Sequence, residues 1–375
     1  MSGRSPRDGP ARSREGRAVA RREAVEEDRR SSLTDVARLA GVSVSTASRA
    51  LRHSGIHLVA AATRRRVEAA AKELGYRPNP LARGLRARRM DTFAIMVHDV
   101  ADPYFAEIVR AATSAASEAG YLTVVCSSDR DPDTELRYMD LLIDHRVAAV
   151  LFAGGGLEDR AYQRAMSHRI AAIRAYGGAV VALAPRVERW PTEVTDNRGG
   201  ARLMTEYLIG LGHRKIAFIT GPANVHTSIE RWRGHREAML AAGLEPVMEQ
   251  GDFRPEEGAA ATRRLLERTP GFTALFVASD TMAVGALAEL RRQGLRVPED
   301  VSVAGFGDVP GWEFRDPPLT TIRSNLGAIG EAGVRRAMSQ LNGTDKPPRV
   351  RVHPVELVVR GSTRPLERAQ DEGAP

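Results

Sequence analysis

Apolar and polar residues follow a helical spacing along Leu33–Arg49, in two short blocks that are separated by Gly41. Thr34 or Asp35 can cap the first block, Gly41 can take the left-handed conformation that ends it, and Ser43 can cap the second block. The exposed face of the second block holds small residues and one arginine. Because such a helix can enter a DNA major groove, the pattern predicts a helix-turn-helix, with an ordinary helical hairpin as the alternative.

A third amphipathic block at 63–74 ends at a glycine and is predicted to pack across the first two helices. The prolines within 76–80 then interrupt helix formation, and a basic tract follows at 81–89. Residues 1–30 hold almost no apolar side chains. These features predict a disordered basic arm at 1–30, a three-helix headpiece at 31–77 and a hinge at 78–90.

From residue 91 onward, short apolar runs alternate with amphipathic helical patterns. The predicted strands are Thr92–Val97, Leu122–Cys126, Ala148–Phe152, Ala179–Ala182, Lys215–Thr220, Ala274–Val277 and Val301–Gly305. The predicted helices include Phe105–Ala119, Thr134–Asp144, Gly199–Leu211, Arg231–Ala242, Glu257–Arg268 and Ala283–Gln293. Apolar strands separated by helices indicate an α/β core, and this number of units favours two doubly wound parallel-sheet subdomains. We expect a ligand cleft between them, at the carboxyl ends of the strands.

The charge distribution differs between residues 1–90, which include the predicted headpiece, and the predicted core that follows. The chain has a net charge of +8, but residues 1–90 hold 21 Lys and Arg against 9 Asp and Glu. The remaining residues hold 34 basic side chains against 38 acidic ones. The positive excess therefore lies with the predicted headpiece, where it favours a polyanionic partner such as DNA.

Composition restricts the setting of the protein. Cys126 is the only cysteine among 375 residues, which excludes an internal disulfide and favours a buried, inert thiol. No early apolar run resembles a signal peptide, and no stretch approaches the ~20 apolar residues of a membrane span. We therefore expect a cytoplasmic protein, associated with the nucleoid and without a membrane partner.

Enzyme motifs do not fit the chain. Gly154–Gly156 follows a predicted strand but lacks the spacing of a dinucleotide-binding loop, and the sequence has no phosphate-binding loop or nucleophile elbow. His53 and His57 are spaced as helical neighbours, but they flank Gly55 in a predicted loop. We expect no catalytic residues, no metal and no cofactor.

Read in order, these motifs resemble the LacI/GalR family of transcriptional regulators from about Ser32 to Arg364. The resemblance depends on Thr34–Ala37, Ala40–Ser43, Asp102–Phe105, Leu211–Ile216 and Pro318–Ile322, among other matches. It implies a periplasmic-binding-protein-like core over 91–364, followed by a disordered tail at 365–375. The implied N-subdomain covers about 91–194 and 323–347, and the implied C-subdomain covers about 195–322 and 348–364.

The resemblance also implies roles in DNA binding. Val44 and Ser45 would meet base edges, and Arg49 would reach a guanine or a nearby phosphate. Leu85 would open a base step from the minor groove, although it could instead pack under the core. Some of the hydroxyl groups could serve as helix caps rather than phosphate anchors. The implied DNA-binding set is Ser43, Val44, Ser45, Thr46, Ser48, Arg49, Arg52, Asn79, Ala82, Leu85 and Arg86.

A second set of residues is implied for an effector. Arg231 stands where the family clamps ligand oxygens, and Phe253 stands where an aromatic ring often faces a sugar. The implied effector-binding set is Asp102, Tyr104, Phe105, Arg186, Arg231, Phe253, Ser279, Asp280 and Asp308. Gly307 and Pro185 replace aspartates that are frequent in the family, which suggests a ligand with fewer donors, an anionic ligand, or no ligand control.

The predicted protein is therefore a DNA-binding regulator, most simply a repressor that binds a pseudo-palindromic operator as a homodimer. A sugar, a sugar-like compound or an acidic metabolite would control it from the cleft, and a tetramer is left open. The alternatives are an activator or effector-independent regulator on the same fold, and a small-molecule-binding protein without DNA regulation.

Overall fold

The computed structural model describes residues 31–51, 59–76, 90–186, 190–346 and 348–366. The chain divides into two units, Met1–Arg83 and Gly84–Pro375, and each unit has a hydrophobic core of its own. The predicted arm, most of the predicted hinge, the His53 and His57 pair and the tail from 367 onward lie outside the described residues.

The headpiece contains three helices, α1 (Leu33–Leu39), α2 (Val44–Ala50) and α3 (Ala61–Glu73). The amino-terminal cap of α1 is Ser32, and the expectation of Thr34 or Asp35 is wrong. Ser32 Oγ accepts a hydrogen bond from Asp35 N at 3.3 Å, and the Asp35 carboxylate accepts one from Ser32 N at 3.0 Å. Gly41, with φ +61°, supplies the left-handed residue after α1, as predicted. The three helices bury small apolar side chains: Val36, Ala37, Ala40, Ala47, Ala50, Val67, Ala70 and Ala71.

The core consists of two six-stranded sheets with helices between their strands. Its elements are β1 (Met90–Val97), α4 (Pro103–Glu118), β2 (Leu122–Ser127), α5 (Pro132–Asp144), β3 (Val147–Phe152), α6 (Arg160–Ala175), β4 (Ala179–Ala182), β5 (Thr192–Thr195), α7 (Asn197–Gly210), β6 (Ile216–Thr220), α8 (His226–Ala241), β7 (Val247–Gln250), α9 (Pro255–Arg268), β8 (Ala274–Val277), α10 (Asp280–Arg292), β9 (Ser302–Gly307), a 3-10 turn (Trp312–Phe314), β10 (Thr320–Arg323), α11 (Leu326–Leu341), β11 (Val350–His353) and β12 (Glu356–Val358). The strand orders are β11-β5-β4-β3-β1-β2 and β12-β10-β9-β8-β6-β7. Within the described sheets the pairings are parallel, apart from the antiparallel β10–β12 pair.

The chain crosses between the two subdomains three times in the described ranges. The crossings join β5 to α7, β10 to α11, and β11 to β12. Strand β11 pairs with β5 in the first sheet, over Val350↔Thr192 to His353↔Thr195. The predicted third boundary at 347–348 is therefore displaced to the segment between His353 and Glu356, because strand pairing, and not local sequence, assigns β11 to its sheet.

The hydrophobic pattern of the sequence does not predict five short strands, which are β5, β7, β10, β11 and β12. They are three or four residues long and several are polar, as in the Thr-Glu-Val-Thr sequence of β5. Such segments become strands because a neighbouring strand offers hydrogen bonds. None of the helices in the described ranges combines the length and the apolar content that a membrane span requires.

Candidate DNA-binding face and ligand cleft

Helix α2 presents the face that the sequence predicts. Ala47 and Ala50 are buried in the headpiece core, whereas Val44, Ser45 and Arg49 are exposed. The Nε of Arg49 donates a hydrogen bond to Ser45 O at 3.3 Å, which lays the side chain along its own helix. The exposed face thus combines short side chains with one cation.

The hydroxyl groups at the start of α2 form a small cluster. Ser43 is the amino-terminal cap, as predicted, and its Oγ accepts a hydrogen bond from Thr46 N at 3.1 Å. The same Oγ lies 2.9 Å from Ser45 Oγ and 2.8 Å from Thr46 Oγ1. Capping therefore occupies Ser43 in this conformation. The predicted phosphate contacts of Ser43, Thr46 and Ser48 stay predictions.

The other predicted DNA contacts lie outside the described residues. These are Arg52, which follows α2 closely in sequence, and the hinge residues Asn79, Ala82, Leu85 and Arg86.

The core contains a cavity of about 40 Å³ between its two subdomains. Its lining residues lie in the loops and on the helices that follow β1, β2, β3 and β4 on one side and β6, β7 and β8 on the other, at the sheet edges where doubly wound folds bind ligands. They are His98, Asp102, Tyr104, Phe105, Arg130, Ala153, Gly155, Ala184, Val225, Thr227, Arg231, Phe253 and Ser279. Six of the nine predicted effector residues are among them: Asp102, Tyr104, Phe105, Arg231, Phe253 and Ser279.

Arg231, on α8, is the buried cation of the cavity, with 3% of its surface exposed. Its Nε donates to Asn197 Oδ1 at 2.8 Å, and its Nη1 donates to Ala278 O at 2.5 Å. The guanidinium carbon lies 3.8 Å from the centroid of the Phe306 ring. Burial lowers the pKa of Arg231, yet a guanidinium stays charged at neutral pH. Among the described residues no carboxylate lies within 4.0 Å of it, so the charge is held without being neutralised.

A hydrogen bond crosses the cleft beside this cavity. Asp102 caps α4 by accepting from Tyr104 N at 3.0 Å, and it also accepts from the Oγ1 of Thr281, in the second subdomain, at 3.1 Å. Burial raises the pKa of Asp102. Nearby, Arg254 donates to Asp129 across the cleft at 2.7 Å. Both contacts link the two subdomains directly.

Arg186 does not line the cavity, although the resemblance implies an effector contact. Its Nη2 donates to Glu135 Oε1 at 2.9 Å, and the two side chains are only 1% and 3% exposed. It also donates to Tyr162 Oη and to Gly154 O, each at 3.1 Å. The charge of Arg186 is therefore neutralised by a buried partner within the first subdomain.

Asp280 and Asp308 are likewise engaged inside the protein. Asp280 is buried and accepts from Thr321 Oγ1 at 2.6 Å and from Val309 N at 3.1 Å. Burial raises its pKa to about 6. Asp308 pairs with Arg323 and Arg360, each at 2.7 Å. In this conformation neither carboxylate lines the cavity.

His98, Arg130 and Thr227 line the cavity but were not predicted from the sequence. Burial lowers the pKa of His98 to about 3, helped by the charges of Arg130 and Arg186, so the ring is neutral at pH 7. Each of the three residues lies in the sequence shortly after a strand of its sheet ends. The rule that places ligands at strand carboxyl ends, applied to every strand, would have found them.

A helix-turn-helix unit followed by a two-subdomain core with a ligand cleft defines a class of ligand-responsive DNA-binding regulators. Residues 32–79 match the model of bacterial regulatory proteins of the lacI family, and residues 205–363 match the periplasmic binding protein-like domain.

Known proteins are similar to this chain over most of its length. The transcriptional repressor CytR of Escherichia coli K12 is 35% identical over 349 residues, which are 92% of this chain and 99% of CytR. A solved complex of the regulator CelR with cellobiose has a TM-score of 0.65 and 35% identity, and covers 89% of this chain and 100% of that one. The lac repressor dimer bound to operator and the anti-inducer ONPF has a TM-score of 0.76 and 29% identity, covering 89% and 99%.

The chain belongs to the LacI family. It is a DNA-binding transcriptional regulator and not an enzyme, and the family and fold predicted from the sequence are confirmed.

Proposed function

We propose that the protein represses transcription as a homodimer on a pseudo-palindromic operator, and that a small ligand in the cleft changes its operator affinity. The observation that carries this proposal is the cavity between the subdomains, lined from both sides and holding the buried guanidinium of Arg231. A ligand there would favour one spacing of the subdomains, and its difference in affinity between the two states sets the change in DNA binding.

In our proposal α2 lies in the major groove. Arg49 would donate to guanine, Val44 would contact a thymine methyl, and Ser45 would contribute a weaker polar contact. Ser43, Thr46, Ser48 and Arg52 would hold phosphates and set the register. The exposure of the α2 face and the positive charge of the headpiece support these roles.

The operator can be obtained by selection from random duplex DNA with the full chain. Arg49→Ala is then expected to lose about 1–3 kcal/mol of preference for the operator over random DNA. Arg38→Ala, an exposed arginine on α1, serves as the control and should leave this preference intact. Equal loss of affinity of Arg49→Ala for both DNAs would show that Arg49 does not read bases.

The hinge roles remain proposals. Leu85 would enter the minor groove and bend the operator, Arg86 would place its charge in the same narrow groove, and Asn79 and Ala82 would also contact the DNA. Bending is measured by energy transfer between dyes at the operator ends. Leu85→Ala should reduce the bend, and Leu81→Ala is the matched control. An unchanged bend in Leu85→Ala would show that Leu85 does not bend the operator.

Two edge strands support the homodimer. Leu122 on β2 is 68% exposed, Val124 on β2 is 41% exposed, and Met248 on β7 is 41% exposed. Unpaired strand edges with apolar side chains favour association with another chain. A solved relative is described as a dimer on its operator. We therefore assign these two edges to the partner copy.

Sedimentation of the full chain tests this assignment and distinguishes a dimer from a tetramer. The double variant Val124→Arg and Met248→Arg should be monomeric and should bind the operator at least tenfold more weakly. Val350→Arg, on the opposite edge strand β11, is the control, since Val350 is also half exposed. A double variant that stays dimeric contradicts the assignment.

The ligand is tested with a thermal-shift screen of sugars, sugar acids, nucleosides and phosphosugars. CelR, a relative, is solved with cellobiose, which supports a sugar-like ligand for this chain. A compound that binds the cleft should stabilise the wild type more than Arg231→Ala and should change operator affinity. Equal stabilisation of both proteins would place the compound elsewhere.

An effector-independent regulator or activator is the second candidate. It is favoured by the engagement of Asp280 and Asp308 inside the protein and by the small cavity, since ligand sites usually measure about 300–1,000 Å³. One result distinguishes the two candidates. If the protein is an effector-independent regulator or activator, no compound of the screen changes its operator affinity. In either case we place the protein in the cytoplasm, on nucleoid DNA.

A further inference from the structure

The cavity contains a second cation, Arg130, in the loop between β2 and α5. Arg130 has φ +60° and the preceding Asp129 has φ +48°, so two consecutive non-glycine residues lie in the left-handed region. Phe253, which has a φ of +74°, also lines the cavity. The guanidinium carbon of Arg130 lies 5.5 Å from the centroid of the Phe253 ring.

Arg130 has one buried donor that lacks an acceptor in the described part of the chain. Its Nε is buried and has no hydrogen-bond partner among the described residues. Within the described ranges the guanidinium of Arg130 forms no ion pair at 4.0 Å or less. The neighbouring Asp129 is paired with Arg254 instead. A buried donor without an acceptor destabilises the protein, because the loss of its hydration is not offset by a hydrogen bond. A ligand oxygen would remove that cost.

The acidic groups around Arg130 do not neutralise it by contact. Asp102 and Asp252 act on it electrostatically and offset part of the desolvation that lowers its pKa. Asp102 already accepts from Tyr104 N and Thr281 Oγ1, and Asp252 is only partly buried and lies 3.9 Å from Arg254. Since His98 is neutral, the charged lining of the cavity is Arg130, Arg231 and Asp102, with an excess of one positive charge.

We propose that the effector carries an anionic group, a carboxylate or a phosphate, and that this group is bound by Arg130 together with Arg231. The inference deepens the proposed regulatory function and depends on it. Guanidinium groups form strong, charge-assisted hydrogen bonds with both kinds of oxyanion. A ligand rich in neutral hydroxyls would instead need carboxylate acceptors, and Asp280 and Asp308 are occupied within the protein. Phe253 holds Arg130 in place and offers an apolar face to the rest of the ligand.

The anion site is tested first with inorganic phosphate and sulfate, each against chloride at constant ionic strength. The binding of both oxyanions to the full chain is measured by calorimetry for the wild type, Arg130→Gln, Arg231→Gln and Arg236→Gln. Arg236 is exposed on the same helix as Arg231 and is the matched control. We expect affinity to fall at least tenfold in the first two variants and to stay unchanged in Arg236→Gln. Absence of oxyanion binding to the wild type, or equal binding to all four proteins, overturns the proposal.

Matched ligand pairs then separate this inference from the proposed function. Ribose is compared with ribose 5-phosphate and glucose with glucuronate, in their effect on operator binding. We expect only the charged member of a pair to act, and Arg130→Lys to retain more of the response than Arg130→Gln. If the neutral members act equally well, the anionic class is wrong while ligand control stands. If the wild type fails to prefer any selected DNA over random DNA, the proposed function itself is wrong.

Discussion

Arg186 of the first core subdomain and Arg231 of the second are both buried near the cleft, but their charges are held differently. In the first subdomain, Arg186 is paired with Glu135 at 2.9 Å and bonded to Tyr162 and Gly154. In the second, Arg231 is bonded to the neutral oxygens of Asn197 and Ala278. The first charge is neutralised inside the protein, and the second stays available to the cavity.

This difference separates a structural cation from one that can bind a ligand. A buried cation that is already paired with a carboxylate has little to gain from a further anion. A buried cation held by carbonyl oxygens gains a full charge interaction when an anion arrives. We therefore expect Arg186 to matter mainly for the stability of the fold and Arg231 mainly for ligand affinity. Four measurements test this contrast.

The largest effect is expected from Glu135→Gln, which leaves the buried charge of Arg186 without its partner. We expect a loss of about 3–5 kcal/mol in the free energy of unfolding of the core. Urea denaturation followed by circular dichroism measures it. Asp140→Asn breaks the more exposed pair with Arg169 and should cost less than about 1 kcal/mol. Equal losses in the two variants would show that burial does not make the Arg186–Glu135 pair more important for stability than the exposed pair.

The next effect concerns Asp280, one of the acidic groups that act on Arg231. Its pKa is about 6 in the folded protein against an ordinary value of 3.8. Between these values the folded state holds a proton that the unfolded chain lacks, so the contribution is present at low pH and is lost as pH rises toward 6. We expect the stability difference between wild type and Asp280→Asn to change by about 3 kcal/mol between pH 3.5 and pH 7. A pH-independent difference contradicts the raised pKa.

Replacing Arg231 should cost less than breaking the Glu135 pair. Arg231→Met leaves two neutral acceptors unpaired but removes an unneutralised charge, so we expect a loss of about 1–2 kcal/mol. Arg186→Met leaves the Glu135 carboxylate buried alone and should cost at least twice as much. The two variants are compared by the same denaturation. The contrast fails if Arg231→Met is the less stable of the two.

The smallest effect is expected from the ion pair that crosses the cleft, Arg254 with Asp129, whose side chains are 48% and 71% exposed. Arg254→Gln should change stability by less than about 1 kcal/mol, and added salt should reduce the difference further. Denaturation at low and high ionic strength checks this. A large, salt-insensitive loss would mean that the cleft is held closed by this pair.

The elements recovered from the sequence are those that carry their signals locally. The turn at Gly41 and the buried strands at Ala148–Phe152 and Ala179–Ala182 follow from glycine conformation and continuous apolar runs. Strands such as Thr192–Thr195 have no such run, and their state comes from neighbouring strands. The cap of α1 was misplaced because three adjacent polar residues can all cap, and geometry selects Ser32.

The candidate site divides in the same way. Arg231 and Phe253 were found through their place in a family pattern, and both line the cavity. Arg186 was assigned with the same reasoning, but Glu135 lies 51 residues away in sequence, and only the fold brings the two together. Arg130 was missed because it belongs to no motif, and its relevance comes from the sheet order that places its loop opposite Phe253.

The sequence by itself determined the class of this protein, because helix periodicity, capping and strand patterns each depend on residues that are close together along the chain. It determined the headpiece face of Val44, Ser45 and Arg49 for the same reason. Only the tertiary structure decided which buried charges are neutralised and which are open. Neutralisation depends on contacts within a few ångströms between residues that are far apart along the chain.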